Sequence, residues 1–339
     1  MDRDVEALER RIRRLRELQT KHQGNQTSQF ERVSEAVDKV WRTGIQPTDV
    51  RLRPTFLLGP AAADWQPPAS QLLNPRGIGL RFYLLALFEA QCRLGPGAVW
   101  SGDRAFHGEL GWGELVAIDV GYSSVTGTYT RGTKQSRKNS VIRQVKSALC
   151  TLEGLGDQAL VDVPRKKGGH RDYKAFALMN EEGRGDALTP LRYTVPKEER
   201  VISVPVDFFL KGWVQVLYPS EILTWLCFRF LRGRFPRAHE ESGNYMYAQK
   251  RAYMHLLRDS FEDSCVTLRE LGLLRRMPTE AEKKVKPGSV EALFLQPTLR
   301  GGRADLYEPY RYQLTDEGLA EDALDKTLKE LVLRQNGKG

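Results

Sequence analysis

The chain has 339 residues, enough for about two domains of ordinary size. Hydrophobic residues make up 40% and charged residues 28%, a globular balance that excludes broad disorder. No stretch approaches the ~20 apolar residues that a membrane span needs, and the charged N-terminal residues lack the apolar core of a signal peptide. We therefore expect a soluble cytoplasmic protein with no membrane partner.

The first predicted element is a helical segment over residues 1–42. Apolar side chains recur there at steps of three and four, with arginines and glutamates between them: Val5, Leu8, Ile12, Leu15 and Leu18. After an interruption at 24–26, a second apolar stripe runs from Phe30 to Trp41. Such a pair of helices is typical either of a dimerising coiled coil or of helices that pack on their own domain. A homodimer through residues 1–42 is therefore one of two expectations.

Residues 43–76 hold six prolines, which lack the backbone donor that helices and central strands need. This composition predicts a linker or an extended arm that lies on the surface. Globular sequence starts near Gly77, and the apolar run over 79–93 predicts a helix. Residues 95–132 are compatible with either a short helix or strands.

Positive charge is concentrated between Arg131 and Lys174. Eleven basic residues stand there against four acidic ones, an excess of seven that supplies most of the net charge of +9. Such a concentration on a folded domain is typical of a protein that binds a polyanion.

The same region has a clear order of elements. Apolar residues at helical spacing from Val141 to Leu155 predict a helix, and Gly156 favours its end. A strand, a basic turn with Gly168-Gly169 at its tip, and a second strand are predicted over 159–179.

This order of helix, strand, basic hairpin and strand resembles that of the winged-helix family, over residues 77–182. In that family the helix before the hairpin enters the DNA major groove, and the hairpin, or wing, contacts the flanking backbone or minor groove. The resemblance implies a recognition helix at about 136–152 and a wing tip at about 164–171. The residues it implies for DNA binding are Lys134, Arg137, Lys138, Asn139, Arg143, Gln144, Lys146, Arg165, Lys166, Lys167, His170 and Arg171.

Within this set the side-chain chemistry suggests two roles. Guanidinium and amide groups can read guanine or adenine edges, which favours Arg137, Asn139, Arg143 and Gln144. Phosphate contact is the better interpretation for Lys138, Lys146, Arg165, Lys166, Lys167 and Arg171. His170, in the wing, is interpreted as a backbone contact.

A short repeat predicts a second copy of this unit. The run T-L-x-x-L-G at 151–156 recurs at 267–272, an offset of 116, and each run ends an amphipathic helix and precedes a short apolar strand. At the same offset, Val141 matches Leu257 and Val145 matches Phe261. A second winged-helix domain is therefore expected over 198–314.

The second copy has its own predicted elements: an extended segment over 201–217, a helix over 221–231 capped by Ser220, helices over 245–254 and 256–271, and a long wing over 273–314. The cations expected at the tip of this wing are Lys283, Lys284, Lys286, Arg300 and Arg303. Thr315 is predicted to cap a last helix, within the segment 315–339. Because the helix over 256–271 is more acidic than its first-copy equivalent, the second copy is expected to contact DNA through its wing or to bind protein.

Catalytic motifs are lacking in the sequence. It contains no P-loop, no G-x-S-x-G and no H-x-H pair. The four cysteines, Cys92, Cys150, Cys227 and Cys265, are far apart and without metal-ligand spacing. We expect neither enzymatic activity nor a metal or other cofactor.

These patterns predict a mainly α fold with small β-hairpins (α+β), in which two winged-helix domains in tandem lie between an N-terminal helical segment and a C-terminal helix. The function they favour is sequence-specific binding of double-stranded DNA by a transcriptional regulator, associated with the nucleoid or a plasmid. The alternative is a plasmid replication initiator, because initiators of theta-replicating plasmids have a similar size and domain order. A third interpretation, a chromosome-partition protein, leaves the basic wing unexplained.

Overall fold

The structure is a computed structural model, and the residues it describes are 3–21, 26–58, 66–73, 78–100, 102, 104–117, 122–123, 128–129, 134–186, 188–197, 200–246, 251, 257–278 and 310–337. The fold is mainly helical with small antiparallel sheets, which confirms the expected α+β class. The tandem winged-helix arrangement within this class stays a prediction.

The helices in chain order are α1 (Arg3–Gln19), α2 (Gln29–Arg42), α3 (Pro68–Gln71), α4 (Gly79–Arg93), α5 (Lys134–Glu153), α6 (Asp207–Leu210), α7 (Trp213–Val216), α8 (Pro219–Arg234), α9 (Pro236–Ser242), α10 (Arg258–Glu270) and α11 (Ala323–Asn336). The strands are β1 (Asp49–Leu52), β2 (Tyr122–Ser123), β3 (Thr128–Tyr129), β4 (Val161–Asp162), β5 (Ala177–Leu178), β6 (Ile202–Pro205), β7 (Leu274–Met277) and β8 (Arg311–Leu314). They form the antiparallel pairs β1–β6, β2–β3, β4–β5 and β7–β8.

The apolar stripe of α1 is buried within the chain itself. Its side chains, from Leu8 to Leu18, belong to the hydrophobic core, where α1 packs against α2 and α11. The helix therefore packs on its own chain, which is the second of the two arrangements expected from the sequence. It gives no support to a homodimer seam through residues 1–42.

A buried ion pair fixes α1 to α8. The Nη1 and Nη2 atoms of Arg11 donate hydrogen bonds to the two carboxylate oxygens of Glu221, at 2.6 and 2.8 Å. The guanidinium also lies 4.2 Å from the ring centroid of Tyr218. A two-bond arginine–carboxylate pair sets the relative orientation of its two helices as well as their contact.

The described part of the proline-rich segment is not the surface arm that its composition predicts. Val50 and Leu52 of β1 are buried, and Phe56 has no exposed surface. β1 pairs with β6, while Gln91 of α4 bonds the other edge of β1 by accepting from the N–H of Arg51 and donating to its carbonyl. The prediction was wrong because prolines flank β1 and leave its own donors free to pair.

The centre of the fold is α4. All residues from Leu80 to Cys92 are buried, so every face of this helix is covered by other parts of the chain. The two charged side chains in this run have polar partners: Arg81 donates to the carbonyl of Ala117 at 2.6 Å, and Glu89 accepts from Arg104 at 2.9 Å. One continuous hydrophobic cluster surrounds α4 and includes both predicted domains, whose boundaries stay predictions.

The second half departs from its predicted elements at three places. Residues 201–217 were expected to be extended, but only β6 is, and α6 and α7 follow it. The helix α8 begins with Pro219 at its first position, so Ser220 lies inside the helix and is not its N-cap.

The last helix also starts later than predicted. The side chain of Asp322 accepts from two backbone N–H groups and caps α11, whereas Thr315 donates its hydroxyl to the carbonyl of Gly272. The predicted helix over 245–254 lies largely outside the described residues. The five wing-tip cations from Lys283 to Arg303 lie wholly outside them.

Candidate nucleic-acid interface

One face of α5 points to solvent. The other face packs against the core, where Val145, Leu149 and Leu152 are buried. The opposite side carries Asn139, Arg143, Lys146 and Cys150, spaced by four, three and four residues and therefore in one line along the helix. We call these four residues the α5 stripe; the first three are exposed and Cys150 is half-buried.

A basic hairpin follows α5, as predicted. Val161 pairs with Leu178, and an isolated bridge joins Arg165 to Arg171 nearer the tip. Gly168 and Gly169 both have positive φ, at 109° and 82°, which L side chains rarely adopt. We call residues 164–174 the wing. Its tip is a tight turn with exposed side chains on both arms.

Three contacts hold the wing against α5. The Nε of Arg171 donates to Oε2 of Glu153, at the end of the helix, over 2.8 Å. The Sγ of Cys150 lies 3.3 Å from the hydroxyl of Tyr173, and the Nζ of Lys146 lies 5.4 Å from the centroid of the same ring. The α5 stripe therefore continues without interruption onto the base of the wing.

These contacts also set the electrostatics of the interface. The hydrogen bond with Glu153 raises the pKa of Arg171 above its ordinary value, so this side chain is a permanent cation whose charge is already paired. The hydrogen bond with Cys150 raises the pKa of the Tyr173 hydroxyl, which keeps it protonated and able to donate.

The cations at the wing tip have weaker polar contacts than Arg171 has. Arg165 donates to the carbonyl of Gly169 at 3.1 Å, which leaves its charge unneutralised. Lys166 lies 3.5 Å from a carboxylate oxygen of Asp172, and most of its side chain is exposed. Lys167 and His170 are exposed beside them. The tip therefore presents three cations within three consecutive residues.

The structure gathers eight of the predicted residues into two adjoining surfaces, the α5 stripe and the wing. Asn139, Arg143 and Lys146 share the stripe, and the five predicted wing residues follow it. Gln144 lies on the flank of α5 and is half-buried. The side chains of Lys134, Arg137 and Lys138 lie outside what the structure describes, so their predicted roles stay predictions.

Tyr173 and Glu153 also belong to this interface, although neither was among the residues predicted from the sequence. Tyr173 joins α5 to the wing, and Glu153 fixes Arg171. A signal was present in the spacing: an acidic residue at the helix end and a basic residue after the glycine turn can meet only when the hairpin folds back on its helix.

No protein-family model, no curated protein and no solved structure matches this chain. In the part of the chain that the structure describes, no group of three His, Cys, Asp or Glu side chains is placed to hold a metal ion. Across the same residues, every helix is too short or too polar to cross a membrane.

Proposed function

We propose that the chain binds double-stranded DNA in a sequence-specific manner, with the α5 stripe in the major groove and the wing on the flanking backbone. The observation that carries the proposal is the continuity of the basic surface from Arg143 through Lys146 to the wing. Transcriptional regulation by occupancy of a promoter is the simplest use of such an activity.

Two kinds of contact are distinguished by their position. Cations of the wing tip, Arg165, Lys166 and Lys167, bind phosphates and position the protein without reading sequence. Arg143 and Asn139 project from the middle of the exposed helix face, where a guanidinium and an amide can each make paired hydrogen bonds to base edges. Because Arg171 is held by Glu153, the wing keeps a fixed position relative to the helix.

The test separates reading from positioning. Arg143→Ala is expected to weaken binding to the best site by about 1–3 kcal/mol and to weaken binding to random DNA much less. Arg13→Ala removes another exposed arginine, from α1, and serves as the matched control, with little effect on either DNA. Equal weakening on both DNAs would make Arg143 a phosphate contact and remove the base-reading role from this helix face.

Recovery and sequencing of genomic DNA bound to the full chain identifies the sites. Peaks at promoters support regulation of transcription. Peaks at an array of direct repeats in a plasmid origin support the alternative, a replication initiator.

A further inference from the structure

The helices α5 and α10 are equivalent by more than their shared T-L-x-x-L-G run. At the offset of 116, three buried residues of α5 match three buried residues of α10, namely Val145 with Phe261, Leu149 with Cys265, and Leu152 with Leu268. The glycines that follow, Gly156 and Gly272, have φ values of 65° and 73°. The two helices thus present equivalent faces to the core and equivalent faces to solvent.

On the solvent faces, three matched positions carry charges of opposite sign. Arg143 of the α5 stripe corresponds to Asp259, and Lys146 corresponds to Glu262. Ser147 corresponds to a third carboxylate, Asp263. At the helix end, the acid Glu153 corresponds to the base Arg269. We call Asp259, Glu262, Asp263, Val266 and Arg269 the α10 stripe.

The α10 stripe is unsuited to a phosphate backbone, because three carboxylates repel it. It also carries apolar surface: Val266 is 41% exposed, and Leu257, directly before the helix, is 73% exposed. Exposed aliphatic side chains bordered by polar groups resemble the arrangement of a protein interface, in which a polar rim surrounds an apolar centre.

We propose that the α10 stripe of one chain binds the α5 stripe of a second copy. Two parallel helices that face each other across a local twofold axis bring equivalent positions together. In this arrangement the Arg143 side chain of one copy meets Asp259 of the other, Lys146 meets Glu262, and Cys150 meets Val266. The two charged pairs are each opposite in sign, so the stripes are complementary in charge at these positions.

The contact is heterologous, because it joins two different surfaces of the same chain. It also occupies the α5 stripe, so a chain held in this way cannot use that face for DNA. Self-association is measured without nucleic acid, so its result is independent of the proposed function.

The first measurement is the mass of the full chain by sedimentation equilibrium at low and at high salt. The proposal requires self-association that weakens as salt rises, since exposed charges are screened. A chain that stays monomeric at every concentration tested overturns the proposal and leaves the α10 stripe to a different basic partner.

Charge exchange then locates the contact. Arg143→Glu and Asp259→Arg are each expected to raise the dissociation constant about tenfold or more, because a close attractive pair becomes repulsive. The variant with both changes is expected to recover the wild-type constant. Self-association that ignores both single changes places the interface elsewhere and overturns the proposal.

A mixture of the two single variants gives the sharpest outcome. The carboxylate introduced by Arg143→Glu is repelled by a native α10 stripe but attracted by the reversed stripe of the Asp259→Arg chain. Each variant alone is expected to be largely monomeric, and the mixture is expected to form oligomers that contain both chains. Because recovery of binding requires folded chains, misfolding cannot produce this result, and a mixture without such mixed oligomers contradicts the pairing of these stripes.

Discussion

The wing offers a direct test of phosphate contact. Replacement of Arg165, Lys166 and Lys167 by alanine removes three exposed cations from the tip. Each phosphate contact adds about 0.9 to the slope of log K against log salt, so three full contacts give about 2.7. Lys166 forms an ion pair with Asp172 at 3.5 Å and so contributes between none and all of one contact. We therefore expect the slope to fall by about 1.8 to 2.7. Binding to specific and to random DNA should weaken alike.

Titrations of a fluorescent duplex, followed by anisotropy at several salt concentrations, measure the slope. The matched control is the replacement of Arg10, Arg13 and Arg16 by alanine, which removes three exposed cations from α1. It changes the net charge equally and leaves the wing intact, so its slope should stay at the wild-type value. An unchanged slope in the wing variant, or an equal fall in both variants, would refute the assignment of these cations to phosphates.

Three further predictions concern the fold. Leu15→Ala should lower the free energy of unfolding by about 2–5 kcal/mol in urea denaturation, because the side chain has no exposed surface, and a neutral result would contradict the packing of α1. Arg11→Met should cost about 3–5 kcal/mol, since it leaves the Glu221 carboxylate buried without its cation, and addition of Glu221→Gln should recover part of that loss. His239 accepts from the N–H of Leu314 at 2.9 Å, and burial lowers its pKa, so stability should fall as the pH drops below about 6.5 towards that lowered pKa. His239→Gln should flatten this part of the stability profile measured by thermal melting.

Local patterns in the sequence were sufficient to predict the helix α5, which buries one face, and the hairpin that follows it. The apolar spacing in α5 predicted a helix and its outward stripe, because residues three and four apart share a face whatever lies beyond them. The glycine pair at 168–169 predicted the hairpin for a similar reason: its strands are neighbours in the chain, and the turn alone brings them together.

Features made by distant residues were not predictable in this way. β1 pairs with β6 about 150 residues later, and no local signal in a proline-rich segment identifies that partner. The ion pair of Arg11 with Glu221 joins elements that are further apart still. In the candidate interface, Asn139, Arg143 and Lys146 were named from the sequence, but the contacts of Tyr173 with Cys150 and Lys146 depend on how the hairpin packs against α5.

The packing of α1 on α11 has a consequence for synthesis in the cell. About 300 residues separate the two helices, so at roughly 5–20 residues per second the ribosome needs about 15 to 60 s to make the second after the first. During that interval the apolar side chains from Leu8 to Leu18 cannot pack against α11, so part of their surface stays exposed to solvent. A nascent chain in this state presents them to chaperones or to neighbouring nascent chains. The helix α1 therefore reaches its final environment only after α11 has been made, although it is translated about 300 residues earlier.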